Sequence, residues 1–280
     1  MRGKATLVTL AAVLPLVLVI GYPLGALLWS SVAPTVDGQG TYTFSFLAEA
    51  VSSPAYFSVL CTTLAICAAT AALSVAVALP MALFVWSRPA RYQPLALVAL
   101  ILPMFMSYIV KIYTMRSLLG LNGFFNQALL ASGFVDRPTT LFLFNRGSIL
   151  ATFVVLYIPF AALPIYLSLE RVPASLVLAG RDLGASYART LRDVVLPLAS
   201  PGIVAASLFA FILALGDFVT PQMVGGPNGM TYGRIVWSQF GLAFNYNLGA
   251  ALGIVLLIVT VVALAGSGMI SKVLSARLGR

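Results

Sequence analysis

The residues that could carry chemistry in this sequence are few and lie beside apolar segments. Asp217 directly follows a long apolar run, where a carboxylate is costly unless it faces water or a partner. A carboxylate in such a place can attract a cation, and the faces of Tyr108, Tyr157 and Trp237 could add cation–π attraction. We therefore expect Asp217 to line a solute pathway, with these aromatic residues and Lys111 as further candidates for its wall.

Each of these residues also has a purely structural interpretation. Asp217 could lie at the membrane interface or cap the turn at Pro221, and the three aromatic residues could pack or mark the headgroup level. Lys111 could extend its charge to water, or pair with Asp217 in a closed state. The charges of the predicted outer segments sum to a small positive value, which does not favour the entry of polycations.

Several kinds of chemistry are excluded by residues that the sequence lacks. With no histidine among 280 residues, histidine triads and histidine-ligated zinc or haem are excluded, and we expect no metal site. Asp217 has no second carboxylate within a predicted span, so an intramembrane aspartyl enzyme is disfavoured. Cys61 and Cys67 lie on different faces of one helical run and cannot pair there. No phosphate-binding loop of the form G-x4-G-K-[ST] occurs, so any ATP hydrolysis must come from another polypeptide.

The elements that position these residues must be membrane helices. Hydrophobic residues make up 61% of the chain and charged residues 8%, against about 25% charged residues in ordinary soluble domains. A span needs roughly 20 apolar residues. The sequence therefore predicts an all-α membrane protein with six spans, the third continuing through Lys111 and Tyr113. The six charge-free runs are 5–32, 55–86, 94–110, 148–169, 194–216 and 248–271.

The distribution of Lys and Arg predicts the orientation of these spans. Eleven of the 16 lie on the inner side if the amino terminus is cytoplasmic, so we expect both termini inside. The first run is too long for the core of a signal peptide, and we expect a retained helix. The net charge of +9 then reflects topology and contact with anionic lipid, not nucleic acid. We divide the chain into a first helix with an outer loop (1–54), a five-helix core (55–271) and a cytoplasmic tail (272–280).

Two further connections have recognisable patterns. Residues 111–147 contain Phe124, Phe125, Ala128 and Leu129 at helical spacing, which predicts a short helix in the outer interface. Residues 217–247 include the run GGPNG at 225–229, which predicts a break in any helix.

The inner segment 170–197 is the most informative connection. Pro173 suits the first turn of a helix over 174–182, and Gly184 can end that helix in a left-handed conformation. Ser186 can cap a second short helix through Arg192, before Pro197 marks entry into the next span. The sequence thus predicts two short helices joined at a glycine elbow, which is either an amphipathic interfacial segment or a docking surface for a cytoplasmic partner.

This segment resembles the cytoplasmic loop of ABC importer permeases, which has the form E-A-A-x-x-x-G-x9-I-x-L-P. Gly184 is followed by nine residues and then by Val194, Val195, Leu196 and Pro197, which fits the spacing. The three residues at the E-A-A positions are Leu178, Ala179 and Gly180, so the usual Glu is absent. The resemblance implies that this loop contacts an ATPase, and Arg181 or Asp182 could supply polar contacts in place of that Glu.

Within this family the chain looks most like the spermidine/putrescine-type permeases. The similar segments are LPMFMSYIVKIY (102–113), GRDLGAS (180–186), LPLASPGI (196–203) and GDFVTPQMVGGP (216–227). Permeases for opines, ferric ion and other solutes share much of this pattern and remain alternatives. A self-sufficient secondary transporter is a further alternative, although we see no inverted repeat of the kind that such proteins show.

The resemblance implies a type I (MetI-like) importer fold in the bacterial cytoplasmic membrane. It implies a non-catalytic subunit that pairs with a second permease and receives solute from an extracytoplasmic binding protein. Two ATPase subunits that bind ATP and Mg would dock on the loops of the permeases. This chain would then bind no cofactor itself and would move solute by alternating access.

Overall fold

The structure is a computed structural model that describes residues 2–34 and 42–278, with the backbone alone for 2–14, 16 and 270–278. Part of the predicted loop 33–54 and the last two residues of the tail therefore lie outside the described residues. Within those ranges every regular element is a helix. The helices are α1 (Arg2–Val32), α2 (Ser45–Ser52), α3 (Pro54–Trp86), α4 (Gln93–Ile101), α5 (Tyr108–Leu119), α6 (Phe124–Ala131), α7 (Arg146–Glu170), α8 (Ala174–Asp182), α9 (Tyr187–Thr190), α10 (Leu196–Gly216), α11 (Val219–Val224), α12 (Tyr232–Gly241) and α13 (Tyr246–Leu278).

The long helices confirm the expected all-α membrane protein. In the described part of the chain, four are long and apolar enough to cross a bilayer: Pro54–Trp86, Arg146–Glu170, Tyr187–Gly216 and Tyr246–Met269. A bent pair raises this number to five if it counts as one span, and Val17–Val32 is a shorter apolar stretch of α1. The six-span count and the cytoplasmic placement of both termini stay predictions.

The third predicted span differs from its expected form. We expected one helix running through Lys111 and Tyr113, but α4 ends in a 3-10 turn at Leu102–Phe105. Met106 is extended, and after Ser107 the chain starts α5 in a new direction at Tyr108. The two halves are bent by 88°, so the expectation of a continuous helix is wrong. The break follows Pro103, which cannot donate the backbone hydrogen bond that a continuous helix needs.

The connections that we expected on the outer side contain additional helices. The short helix predicted in 111–147 is confirmed as α6 (Phe124–Ala131). The break predicted at GGPNG is also present, because Gly226 is left-handed (φ 59°) between α11 and α12. The expected loop 33–54 also contains a short helix, α2, for which we expected only an exposed connection.

The chain divides into two compact units. The first unit comprises Met1–Val59 and Ile235–Val259. In it, the side-chain amide of Asn247 donates to the carbonyls of Ser30 (2.9 Å) and Ala33 (2.8 Å). These bonds fasten the start of α13 to the end of α1 and satisfy carbonyls that the end of a helix leaves without intrahelical partners.

The second unit comprises Leu60–Arg234 and Thr260–Arg280 and is built around α7 and α10. A reciprocal capping box between Asn145 and Ser148 starts α7. Small residues line the contact between the two helices, since a Cβ at Gly202 of α10 would lie 2.5 Å from the carbonyl oxygen of Pro164 in α7. Such close approach is how membrane helices gain packing energy without a hydrophobic driving force.

Candidate functional site

Asp217 lies at the carboxyl end of α10 and is only 8% exposed. Its Oδ2 accepts hydrogen bonds from the hydroxyls of Tyr108, Tyr157 (2.9 Å) and Thr220 (2.7 Å). Its Oδ1 accepts the backbone N–H of Thr220 at 2.9 Å. A buried carboxylate is stable only when donors replace its hydration, and these four bonds supply them. The structure therefore brings together Asp217 and two of the three aromatic residues predicted to accompany it.

Different helices supply these donors. Tyr108 is the first residue of α5, directly after the break in the third apolar run, whereas Tyr157 lies in the middle of α7. The Tyr157 ring packs at 5.6 Å from Phe153 and 6.4 Å from Phe160, between centroids. The carboxylate thus connects α5, α7, α10 and the start of α11 at one point.

A cavity of about 480 Å³ opens beside this carboxylate. Its size lies within the range typical of small-molecule sites. Asp217, Tyr108, Tyr157 and Lys111 supply its polar groups. The rest of the wall is apolar apart from backbone and consists of Met104, Met106, Leu156, Phe160, Ile212, Leu213, Gly216, Phe218 and Val219.

Lys111 lines the cavity but its ammonium group bonds elsewhere. Its Nζ donates to the carbonyl of Pro103 at 3.3 Å, across the break between α4 and α5. In this conformation the ammonium group therefore contacts the end of the preceding helix rather than Asp217.

Trp237 is the one predicted pathway residue that does not line this cavity. It lies in the part of α12 that belongs to the first unit, where its indole packs over Gly241. Among the described residues no group of three or more His, Cys, Asp or Glu side chains could hold a metal ion.

The glycine elbow forms as the sequence predicts. The first helix is α8, Gly184 has φ 78°, and the Ser186 hydroxyl accepts the N–H of Arg189 at the start of α9. The N–H groups of Gly184 and Ala185 donate back to the carbonyls of Arg181 and Gly180, which closes the end of α8.

The surface of the elbow is exposed. No residue of α8 is buried, so Leu178, Ala179, Arg181 and Asp182 are all accessible, and Leu183 at the tip is 88% exposed. Gly180 instead faces α9, where a Cβ would lie 3.2 Å from the Thr190 hydroxyl. The elbow therefore combines a close inner contact with an apolar and charged outer face.

The second helix of the elbow does not end before the next span. A π-turn at Leu191–Val195 joins α9 to α10, and Tyr187–Gly216 is one uninterrupted helix of 30 residues. Leu196 and Pro197 lie in its interior, where Pro197 takes a position shortly after the π-turn. The elbow and Asp217 are consequently at opposite ends of the same helix, roughly 45 Å apart along its axis.

Sequence reasoning missed Thr220, which is fully buried and gives Asp217 two of its four hydrogen bonds. A local signal existed, because an Asp three residues before a donor N–H is typical of side-chain capping at a helix start. The contact of Tyr108 with Asp217 joins residues 109 positions apart, and no local pattern predicts it.

A family model described as "Binding-protein-dependent transport system inner membrane component" matches residues 9–279. The chain belongs to this family. Its members are permeases of ABC importers in the inner membrane, which confirms the resemblance, the transport function and the location that the sequence implied. The departure at Leu178 from the usual Glu does not remove the chain from the family.

Two permeases are similar to this chain over most of their length. The inner membrane ABC transporter permease protein YdcU of Escherichia coli (strain K12) is 37% identical over an alignment of 275 residues, with 86% of each chain covered. The spermidine/putrescine transport system permease protein PotB of the same organism is 32% identical over 206 residues, which is 74% of each chain.

Solved structures confirm the fold of the permease. A chain of a bacterial alginate ABC transporter superposes with a TM-score of 0.77 at 16% identity, covering 97% of this chain and 95% of that one. A chain of the MetNI methionine ABC transporter gives a TM-score of 0.60 at 18% identity, covering 79% of this chain and 99% of that one. The fold is therefore that of the type I importer permeases.

Proposed function

We propose that this permease forms the pathway for an amine-bearing solute, with the polyamines putrescine and spermidine as the first candidates. The observation that carries the proposal is the buried Asp217 carboxylate, surrounded by tyrosine hydroxyls on the wall of a cavity. The name of PotB, at 32% identity, points to the same solutes.

The chemistry of the cluster suits an ammonium group. Each oxygen of a carboxylate offers about two acceptor positions, so Oδ2 of Asp217 is full and Oδ1 is not. Oδ2 of Asp217 already accepts three bonds and Oδ1 accepts one. One position on Oδ1 is left for a solute N–H, and each tyrosine oxygen can also accept one. The aromatic faces of Tyr157 and Phe160 add attraction for a cation.

We propose that the elbow is where an ATPase binds and passes its movement to the permease. We expect an ATPase to bind the exposed face of α8 with Leu178, Leu183 and their neighbours, and to bind ATP and Mg itself. A second permease, a second ATPase and an extracytoplasmic solute-binding protein would complete the importer, and this chain would need no cofactor. Because α9 and α10 are continuous, movement of the elbow would reach Asp217 and favour one access state over the other.

The proposal is tested by uptake in liposomes that contain the complete complex. ATP-dependent uptake of radiolabelled putrescine and spermidine is measured beside an opine and ferric ion. We expect amine uptake, and we expect Asp217→Asn to lower it at least tenfold, since a hydrogen bond to a charged group contributes about 1.5–3 kcal/mol. Asp136→Asn, which changes an exposed carboxylate, is the control.

Two results would contradict the proposal. Uptake of the opine or of ferric ion without amine uptake would assign another solute, and unchanged uptake by Asp217→Asn would remove this carboxylate from the pathway. A permease that transports without retaining an ATPase subunit during purification would instead be a secondary transporter, which family membership disfavours.

A further inference from the structure

The break in the third apolar run places charged and polar groups in an unusual arrangement. The chain leaves the 3-10 turn at Leu102–Phe105, passes two non-helical residues and enters α5 at Tyr108. At such a break the last carbonyls of the first half carry partial negative charge, and that of Pro103 accepts one long bond, from the N–H of Met106 at 3.4 Å. A carbonyl oxygen has two lone pairs, so the Pro103 carbonyl can bind a second donor.

Lys111 supplies that donor. Its Nζ lies 3.3 Å from the carbonyl oxygen of Pro103, so the side chain crosses the break from the first turn of α5. Lys111 and Tyr108 are three residues apart in one helix and therefore share a face. Both line the cavity, and Tyr108 donates to Asp217 from this same turn.

We infer that Lys111 is a positioning residue that holds the first turn of α5 at the angle from which Tyr108 reaches Asp217. The ammonium group acts on the carbonyl of Pro103 and influences the solute only through Tyr108. This inference rests on the proposed function for its effect on transport. The ammonium group keeps its positive charge in this contact, so repulsion of an amine by Lys111 is a separate effect that the experiment must distinguish.

The two roles predict opposite effects of removing the charge. If Lys111 positions Tyr108, Lys111→Gln raises the KM for putrescine about tenfold, while Lys111→Arg, which keeps a cationic donor, stays within about twofold of the parent. If Lys111 only repels the solute, Lys111→Gln lowers the KM. A lowered KM in the complete reconstituted complex would overturn the inference.

A double-mutant cycle separates action through Tyr108 from an independent effect. In a Tyr108→Phe background the hydroxyl that Lys111 positions is already absent, so Lys111→Gln should raise the KM by less than about twofold. If the fold changes in KM of the two single variants multiply in the double variant, the inference is overturned, because the residues then act independently.

A readout without solute keeps this test distinct from that of the proposed function. Hydrogen exchange of the complete complex in nanodiscs should show faster exchange of the amides of residues 108–112 in Lys111→Gln but not in Lys111→Arg. Equal exchange in all three proteins would overturn the inference. If the parent complex takes up no amine, the proposed function fails, and this measurement still decides whether Lys111 stabilises the break.

Discussion

Thr220 contacts Asp217 twice, through its backbone N–H at 2.9 Å and through its hydroxyl at 2.7 Å. The two bonds end on different carboxylate oxygens, so together they fix both the position and the plane of the carboxylate. Tyr108 lies 3.0 Å from the same hydroxyl. Thr220 therefore orients the group that we propose to meet the solute, although it does not itself line the cavity.

Removal of the Thr220 hydroxyl should weaken transport. Thr220→Val keeps the shape and the backbone N–H but removes one charge-assisted hydrogen bond, which contributes about 1.5–3 kcal/mol. We expect the KM for amine uptake to rise about tenfold or more, measured in liposomes. Thr220→Ser retains the hydroxyl and should stay close to the parent, and equal losses in both variants would show that packing rather than the hydroxyl matters.

A substitution at Gly184 tests whether the elbow couples ATP hydrolysis to transport. Its φ of 78° is a conformation that β-branched residues adopt at a cost of about 1–3 kcal/mol. We expect Gly184→Val to insert and assemble normally but to hydrolyse ATP without transport, as measured by parallel ATPase and uptake assays. Gly184→Asn is the matched control, because Asn tolerates the left-handed region, and it should retain most of the coupling. Full transport by the valine variant would contradict the elbow's role.

A substitution at Leu183 tests whether the elbow is the surface that binds the ATPase. It is 88% exposed at the tip of the elbow, where an apolar side chain is well placed to enter a groove on a partner. Leu183→Asp should reduce the ATPase that co-purifies with the permease about tenfold, which corresponds to a loss of roughly 1.4 kcal/mol. Leu141→Asp changes another exposed leucine, outside the elbow, and should leave the ATPase bound. Unchanged retention in both variants would place the docking surface elsewhere.

Gly202 tests the contact between α7 and α10. A Cβ there would lie 2.5 Å from the carbonyl oxygen of Pro164, so the two helices must separate to accept it. Overpacking of this kind costs about 1–3 kcal/mol, and Gly202→Ala should lower the thermal midpoint in detergent by several degrees. Gly25→Ala is the control, because a Cβ at Gly25 meets nothing within 4 Å. A midpoint equal to that of the parent would contradict the contact.

The elbow could be predicted because its determinants are local. Gly184 and Ser186 favour a left-handed conformation and a capping bond through their own chemistry, and the structure has both where the sequence placed them. Pro173 differs slightly, because it is the extended residue directly before α8 rather than part of the first turn. The helix predicted at Phe124 follows from its spacing in the same way. Such features need no knowledge of the remainder of the chain.

The features that sequence reasoning missed depend on contacts between distant segments, or on whether a helical segment takes the α, 3-10 or π form. Pro103 alone does not decide whether a helix bends or breaks, and Met106 and Ser107 are not unusual in helices. The π-turn at Leu191–Val195 has no clear local signature either, so the second helix of the elbow was expected to end near Arg192. The hydrogen bond of Tyr108 to Asp217 requires the folded arrangement of α5 and α10.

Tyr187–Gly216 is one unbroken helix, so the number of residues in it determines where Asp217 lies and which way its side chain faces. Each residue added or deleted within it would rotate everything beyond by about 100° and shift it by about 1.5 Å. Asp217 would then turn away from both tyrosines even if every side chain were retained. Point substitutions on the lipid-facing side should thus be tolerated here, whereas single-residue insertions and deletions should abolish transport.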